Sequence, residues 1–174
     1  MTDRVVFLDR DGVINRRAAP HQYIISWESF HFLPGAQAAI ALLNRYGYRV
    51  VIVTNQRGIA RRCFTLEDVR VLHERMCLAL AEHGARIDDI YVCPHNHGEC
   101  DCRKPKPGLF LQAERDFSVD PSASWMIGDS DDDIEAGRAY GVKTVSIGNG
   151  VGQADFMCGS LLEAATLIVN GGKQ

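Results

Sequence analysis

Two carboxylates one residue apart, Asp9 and Asp11, close an apolar run and lead into Gly12. On an extended strand, side chains i and i+2 share a face, so this spacing lets both acids meet at one point while Arg10 turns aside. Like charges held that close repel one another unless a cation sits between them. Hard oxygen donors select Mg²⁺ or Ca²⁺, and phosphate is the usual companion of such an ion. Other parts of the chain offer groups that suit the same chemistry. Thr54 and Asn55 end a second apolar run, Lys104 stands in Arg103-Lys104-Pro105-Lys106, and Asp129 ends a fourth run with Asp133 four positions on. Lys106 competes with Lys104 as the cation of that stretch. A separate concentration is Cys93, His95, Cys100 and Cys102, three thiolates and an imidazole within ten residues. That set suits a closed tetrahedral zinc site, structural because no coordination position stays open, with His97 as the alternative to His95. Cys63 and Cys77 lie apart from it and read as ordinary thiols.

The elements that must position these groups follow from periodicity. Apolar runs over 4–9, 48–53, 89–93, 124–129 and 143–147 predict five strands. Between them, helical spacing predicts helices over 35–46, 65–83, 109–117 and 131–140, with another over 161–169. Thr65 with Asp68 predicts a capping box, and Gly47 and Gly141 predict helix stops. Strands alternating with helices predict an α/β fold: a doubly wound parallel sheet with helices on both faces. Ligands of such sheets bind at the carboxyl ends of the strands, which gathers Asp9, Asp11, Thr54, Asn55 and Asp129 at one rim. Residues 12–34 predict an irregular excursion, either substrate-facing or a packed Ω-loop, anchored by Trp27, Phe30 and Phe32.

At 174 residues, residues 1–174 fit one domain. A net charge of -3 and only short arginine pairs argue against a nucleic-acid partner. No run is long and apolar enough for a membrane helix, and the N-terminal residues do not resemble an export leader. The expected setting is the cytoplasm, with a small phosphorylated molecule as partner and a monomeric state.

The order D-x-D-G-V, an apolar strand ending in Thr-Asn, Arg-Lys-Pro-x-Pro-Gly, then G-D-x-x-x-D resembles the four motifs of the haloacid dehalogenase-like phosphohydrolases. The zinc-type loop, D-R-D-G-x-I-N and T-N-Q-x-G-I-A-R are similar to the branch that contains the D-glycero-D-manno-heptose 1,7-bisphosphate phosphatases. Histidinol-phosphate phosphatases share the loop, but Arg57-Gly58-Ile59-Ala60-Arg61 favours the heptose branch. The resemblance implies that Asp9 is the nucleophile that forms an aspartyl-phosphate and that Asp11 is the general acid and base. It implies Mg²⁺ on Asp9, the main-chain carbonyl of Asp11 and Asp129, with Thr54 and Lys104 on the phosphoryl oxygens and Asp133 orienting Lys104 or a metal water. Asn55, Gln56, Arg103 and the loop after Asn15 would contact the sugar bisphosphate, and no large cap domain is expected. Many heptose enzymes carry lysine directly after the last metal aspartate. Here that position is Ser130, and Arg16, Arg17 or His21 would supply the charge. A phospho-accepting signalling domain uses similar parts, but places its phosphorylated aspartate after a later strand.

Overall fold

The structure, a computed structural model, describes residues 2–148 and 153–172. Six parallel strands form one sheet: β1 (Val5–Leu8), β2 (Arg49–Asn55), β3 (Asp89–Cys93), β4 (Trp125–Gly128), β5 (Lys143–Ile147) and β6 (Phe156–Cys158). Their order is β3-β2-β1-β4-β5-β6, so the chain winds outward in one direction from β1 and in the other from β4. The helices are α1 (Ala36–Arg45), α2 (Leu66–Ala81), α3 (Gly108–Asp116), α4 (Asp131–Tyr140) and α5 (Leu161–Val169).

All four residues of β1 are buried, because helices cover the sheet on both sides. Val6 and Leu8 face a core completed by α1, α2 and α5. Val5 and Phe7 face the opposite core, completed by α3 and α4. The expected doubly wound sheet is thus present. The sixth strand lies beyond the five expected. Three residues pairing Val145 with Phe156 and Ile147 with Cys158 are too short to show a period.

The helices begin and end where local chemistry directs. Thr65 caps α2, its hydroxyl accepting from Asp68 N at 3.1 Å while Asp68 Oδ2 accepts from Thr65 N at 2.7 Å. Gly141 ends α4 at φ +97°, a left-handed conformation that glycine adopts without strain. The excursion after β1 is pinned at its base by antiparallel pairing of Asn15 with Phe32. Trp27 and Phe30 stack there with ring centroids 5.3 Å apart, and Phe32 meets Phe30 edge-on. Those aromatic contacts form its anchor, while residues 19–22 at its tip are exposed. No described helix is long and apolar enough to cross a membrane.

Candidate active site

The switch in winding direction lies between β1 and β4, whose register places Leu8 beside Ile127. Asp9 continues that pairing, its N–H donating to the Ile127 carbonyl at 3.1 Å, so Asp9 and Asp129 leave neighbouring strand ends. Pairing of Leu8 with Ile52 carries Thr54 two residues further along the same rim. One carboxylate oxygen from each of Asp9, Asp129 and Asp133 falls within 4.8 Å of the others.

Lys104 reaches this trio from the loop after β3. Its buried Nζ donates to Asp9 Oδ1 at 2.8 Å, Asp133 Oδ1 at 2.5 Å and the Val53 carbonyl at 2.7 Å. Burial alone would lower its pKa, but the Asp133 and Asp9 carboxylates outweigh that and hold the ammonium charged. Lys106 is exposed and donates to the Cys100 carbonyl and to Asp101, which leaves Lys104 as the lysine of the rim. Asp133 accepts at Oδ2 from Ser130 Oγ at 2.6 Å and from the N–H groups of Asp129 and Ser130. Its two oxygens therefore tie Lys104 to the start of α4.

Burial pushes the Asp9 carboxyl up to about 7, the Lys104 charge opposing and Asp133 adding to the rise. Three clustered acids with one buried lysine leave an excess of negative charge, and oxygen donors alone make up the set. The donor set fits Mg²⁺, whose charge would favour the ionised Asp9 carboxylate. Gly12 belongs to the same construction. At φ +91°, a Cβ built there would lie 1.8 Å from Asp129 Oδ2, so only glycine admits the acid.

Asp11 stands outside the carboxylate trio. Its oxygens accept from Arg10, from Asn15 Nδ2 at 2.8 Å and from Gln56 Nε2 at 3.1 Å. Burial raises this carboxyl, but the Arg10 charge and the three donors outweigh it and hold it below the ordinary carboxylate range. Arg10 therefore does not turn aside: it is buried and grips its neighbour. Asn15, Arg10 and the His73 on α2 that meets Arg10 were not legible as site residues, although a histidine among the apolar positions Val69, Leu72, Met76 and Leu80 was a usable sign.

The remaining candidates divide into two sets. Thr54 is buried and its Oγ1 accepts from Gln56 Nε2 at 2.9 Å, which leaves the hydroxyl hydrogen for another acceptor. Asn55 spends both ends of its amide on the Lys104 backbone, at 3.1 and 3.2 Å. Asn55 and Gln56 are thus bound into the rim by their neighbours, while the cations stand further out. Arg17 forms a two-toothed pair with Asp129, both contacts at 2.6 Å, and its side chain is 54% exposed. Arg16 and His21 are exposed on the same loop. Arg103 donates to the His95 carbonyl at 3.4 Å, while its buried Nε has no hydrogen-bond partner.

Beside the rim, Cys93, His95, Cys100 and Cys102 bring one ligand atom each within 4.8 Å of the rest. Adjacent separations are 3.7 Å for Cys93 Sγ to Cys100 Sγ, 3.4 Å for Cys100 to Cys102, and 3.3 Å for Cys102 Sγ to His95 Nδ1. A tetrahedron with arms of roughly 2.3 Å has edges of about 3.8 Å, so the four atoms are spaced for zinc. His97 is exposed and absent from the cluster.

A HAD-hydrolase-like family model matches residues 101–173. The chain is 39% identical to the D-glycero-beta-D-manno-heptose-1,7-bisphosphate 7-phosphatase of Pasteurella multocida, over 95% of this chain and 96% of that protein. It is 46% identical to the enzyme of the same name from Rhodopseudomonas palustris, over 78% of each. Among solved structures, D,D-heptose 1,7-bisphosphate phosphatase from B. bronchiseptica, complexed with magnesium and phosphate, superimposes with a TM-score of 0.89 at 32% identity, covering 97% of this chain and 99% of that one. With the strand order, the rim and these relatives in agreement, the chain belongs to the haloacid dehalogenase-like hydrolases, in the branch of the D-glycero-D-manno-heptose 1,7-bisphosphate phosphatases.

Proposed function

We propose that this protein is a Mg²⁺-dependent phosphatase that removes the 7-phosphate of D-glycero-β-D-manno-heptose 1,7-bisphosphate. The observation that carries the reading is Lys104 Nζ, buried between Asp9 at 2.8 Å and Asp133 at 2.5 Å where two strands end. It supports an anionic nucleophile that must meet an anionic ester.

In this reading a carboxylate oxygen of Asp9 attacks phosphorus, and the bond from phosphorus to the sugar oxygen breaks as the aspartyl-phosphate forms. Asp11, held low by Arg10 in the free protein, takes up a proton when the anionic ester binds beside it and gives that proton to the departing alkoxide. The resulting carboxylate then takes a proton from the water that attacks phosphorus, breaking the bond to Asp9 and freeing phosphate. Lys104 and the Thr54 hydroxyl hold phosphoryl oxygens. Asp9, the main-chain carbonyl of Asp11 and Asp129 would hold Mg²⁺, which when bound spreads the phosphoryl charge. Asp133 keeps Lys104 in place, which accounts for its position at the head of α4.

Recognition of the second phosphate falls to cations around the rim. Arg103 is favoured by its unpartnered Nε, and Arg17 by its place over Asp129. Arg16 and His21 lie on the same loop. The Ser130 hydroxyl is engaged with Asp133, so positive charge on that side comes from Arg17. Asn55 and Gln56 support the sugar site by fixing Lys104, Thr54 and Asp11. Zinc on Cys93, His95, Cys100 and Cys102 would stiffen the loop that carries Arg103 and Lys104. Thiolate ligands persist in a reducing compartment, which fits the cytoplasm. The whole chain would act as one domain and as a monomer.

The test is phosphate release with Mg²⁺ from the β and α anomers of the heptose 1,7-bisphosphate, other sugar phosphates and histidinol phosphate. Preference for the β anomer, with loss of the 7-phosphate, is expected. Preference for histidinol phosphate would overturn the substrate assignment, and a long-lived phosphoprotein without turnover would point to a signalling domain.

A further inference from the structure

Arg10 is 0% exposed and heads the fully buried side chains by volume among the described residues. Its Nη2 donates to both oxygens of Asp11 at 2.9 Å, and its Nε donates to Oδ1 at 3.2 Å. Nη1 faces the other way and meets Nε2 of His73 at 3.2 Å. A guanidinium has donors only, so Nε2 is the acceptor and the imidazole carries its hydrogen on Nδ1. Burial, and then the Arg10 charge, hold the His73 pKa down to about 3, which agrees with a neutral ring. His73 is 5% exposed and sits in the buried face of α2. An imidazole there replaces an apolar side chain that would bury at no polar cost, so the position is explained by what its nitrogen accepts.

We propose that His73 is a positioning residue for the acid-base group. By accepting from Nη1 it fixes the rotation of the Arg10 guanidinium, and the guanidinium in turn fixes the direction in which Asp11 presents its carboxylate. Nη2 also reaches the Ile24 carbonyl, at a long 3.4 Å, but Nη1 has His73 as its partner, and without it Nη1 would be buried unpaired on a head whose long stem lets it turn. Misplacement of a reacting group by about an ångström is enough to slow a reaction strongly. The helix α2 thereby reaches into the chemistry although none of its residues belongs to the Asp9, Asp129 and Asp133 cluster. This inference rests on the reading of Asp11 as the general acid and base.

The experiment compares His73→Leu and His73→Gln on two esters. The heptose bisphosphate leaves as an alkoxide that needs a proton, whereas p-nitrophenyl phosphate leaves as a stable phenolate. General acid catalysis supplies about 10²- to 10⁴-fold, so His73→Leu is expected to lower kcat on the bisphosphate roughly tenfold with KM within about twofold. The loss on the bisphosphate should exceed that on the aryl ester by at least about fivefold, and glutamine, whose carbonyl can accept, should recover most of it. Equal losses on both esters, or glutamine no better than leucine, would leave His73 a packing role and overturn the proposal. Asp11→Asn separates the two layers: retained turnover of the bisphosphate would sink the acid-base reading itself. Lost turnover there with an unaffected His73→Leu enzyme would sink only the role of His73. Should the leucine variant not fold, ¹⁵N NMR of the wild-type protein decides. The hydrogen is expected on Nδ1 of His73, and a hydrogen on Nε2 would contradict the arrangement.

Discussion

The rim draws Asp9, Thr54, Lys104 and Asp129 from four separate stretches of the chain, whereas the cysteine loop draws all its ligands from residues 93–102. At the rim, an apolar sheet buried on both faces sets the positions, and ion pairs hold the charged groups in place with negative charge left over: Lys104 lies between two carboxylates, and Arg10 caps a third. The loop has little such support. Cys93 at the end of β3 is buried and Cys100 and Cys102 pack at the edge of the same core, while the stretch between Cys93 and Cys100 is polar turn. The contrast teaches where each geometry comes from. Rim geometry is a product of the fold, while the loop is the part that an ion on its four ligands would stiffen most.

The strongest way to break that contrast is Cys100→Ser. Metal binding is folding energy for a loop of this kind, so loss of zinc should cost at least about 3 kcal/mol, on the order of 10 °C in melting temperature for a chain of this length. Metal analysis should show zinc falling from about one per chain to near zero. Activity should fall too, because Arg103 N–H donates to Cys100 Sγ at 3.4 Å directly beside Lys104. Unchanged metal content and melting would mean that packing alone holds the loop, and the contrast would vanish.

A smaller effect sharpens the other side of the comparison. The pKa of His73 is lowered to about 3 by burial and Arg10, from an ordinary value of 6.5. The unfolded chain therefore binds a proton in this window that the folded chain does not, so His73 reduces stability progressively as pH falls below 6.5. Between pH 7.5 and 5.5 its contribution should fall by about 1.4 kcal/mol. Denaturation midpoints of wild type and His73→Gln at the two values should differ in slope by that amount, the variant being flatter. Identical pH dependence would place a charged or solvated imidazole at that position.

The same contrast explains what could be read in the sequence. The cysteine cluster was legible because its ligands are neighbours, and the rim because Asp9, Thr54 and Asp129 each end an apolar run and strand ends converge in a parallel sheet. What escaped was whatever depends on one element landing on another. Arg10 reads as a side chain turned away from two acids until α2 brings His73 against it, 63 residues along the chain. Asn55 reads as a sugar contact, and nothing in its own stretch foretells that the loop after β3 folds back to meet both ends of its amide. Lys104, favoured over Lys106 by the Arg-Lys-Pro spacing, is set apart by burial as well. The strand Phe156–Cys158 is made by its pairing with β5 and has no pattern of its own.

The central claim is that Asp9 carries the phosphoryl group. Rapid acid quench of the enzyme during turnover of ³²P-labelled substrate, followed by peptide mapping, tests it directly. Label is expected on the peptide that contains Asp9, labile to hydroxylamine as an acyl phosphate is. Asp9→Asn should give no label and a Mg²⁺-dependent rate lower by at least about 10³-fold. Label on another residue, or an asparagine variant that still releases phosphate at the wild-type rate, would contradict the account.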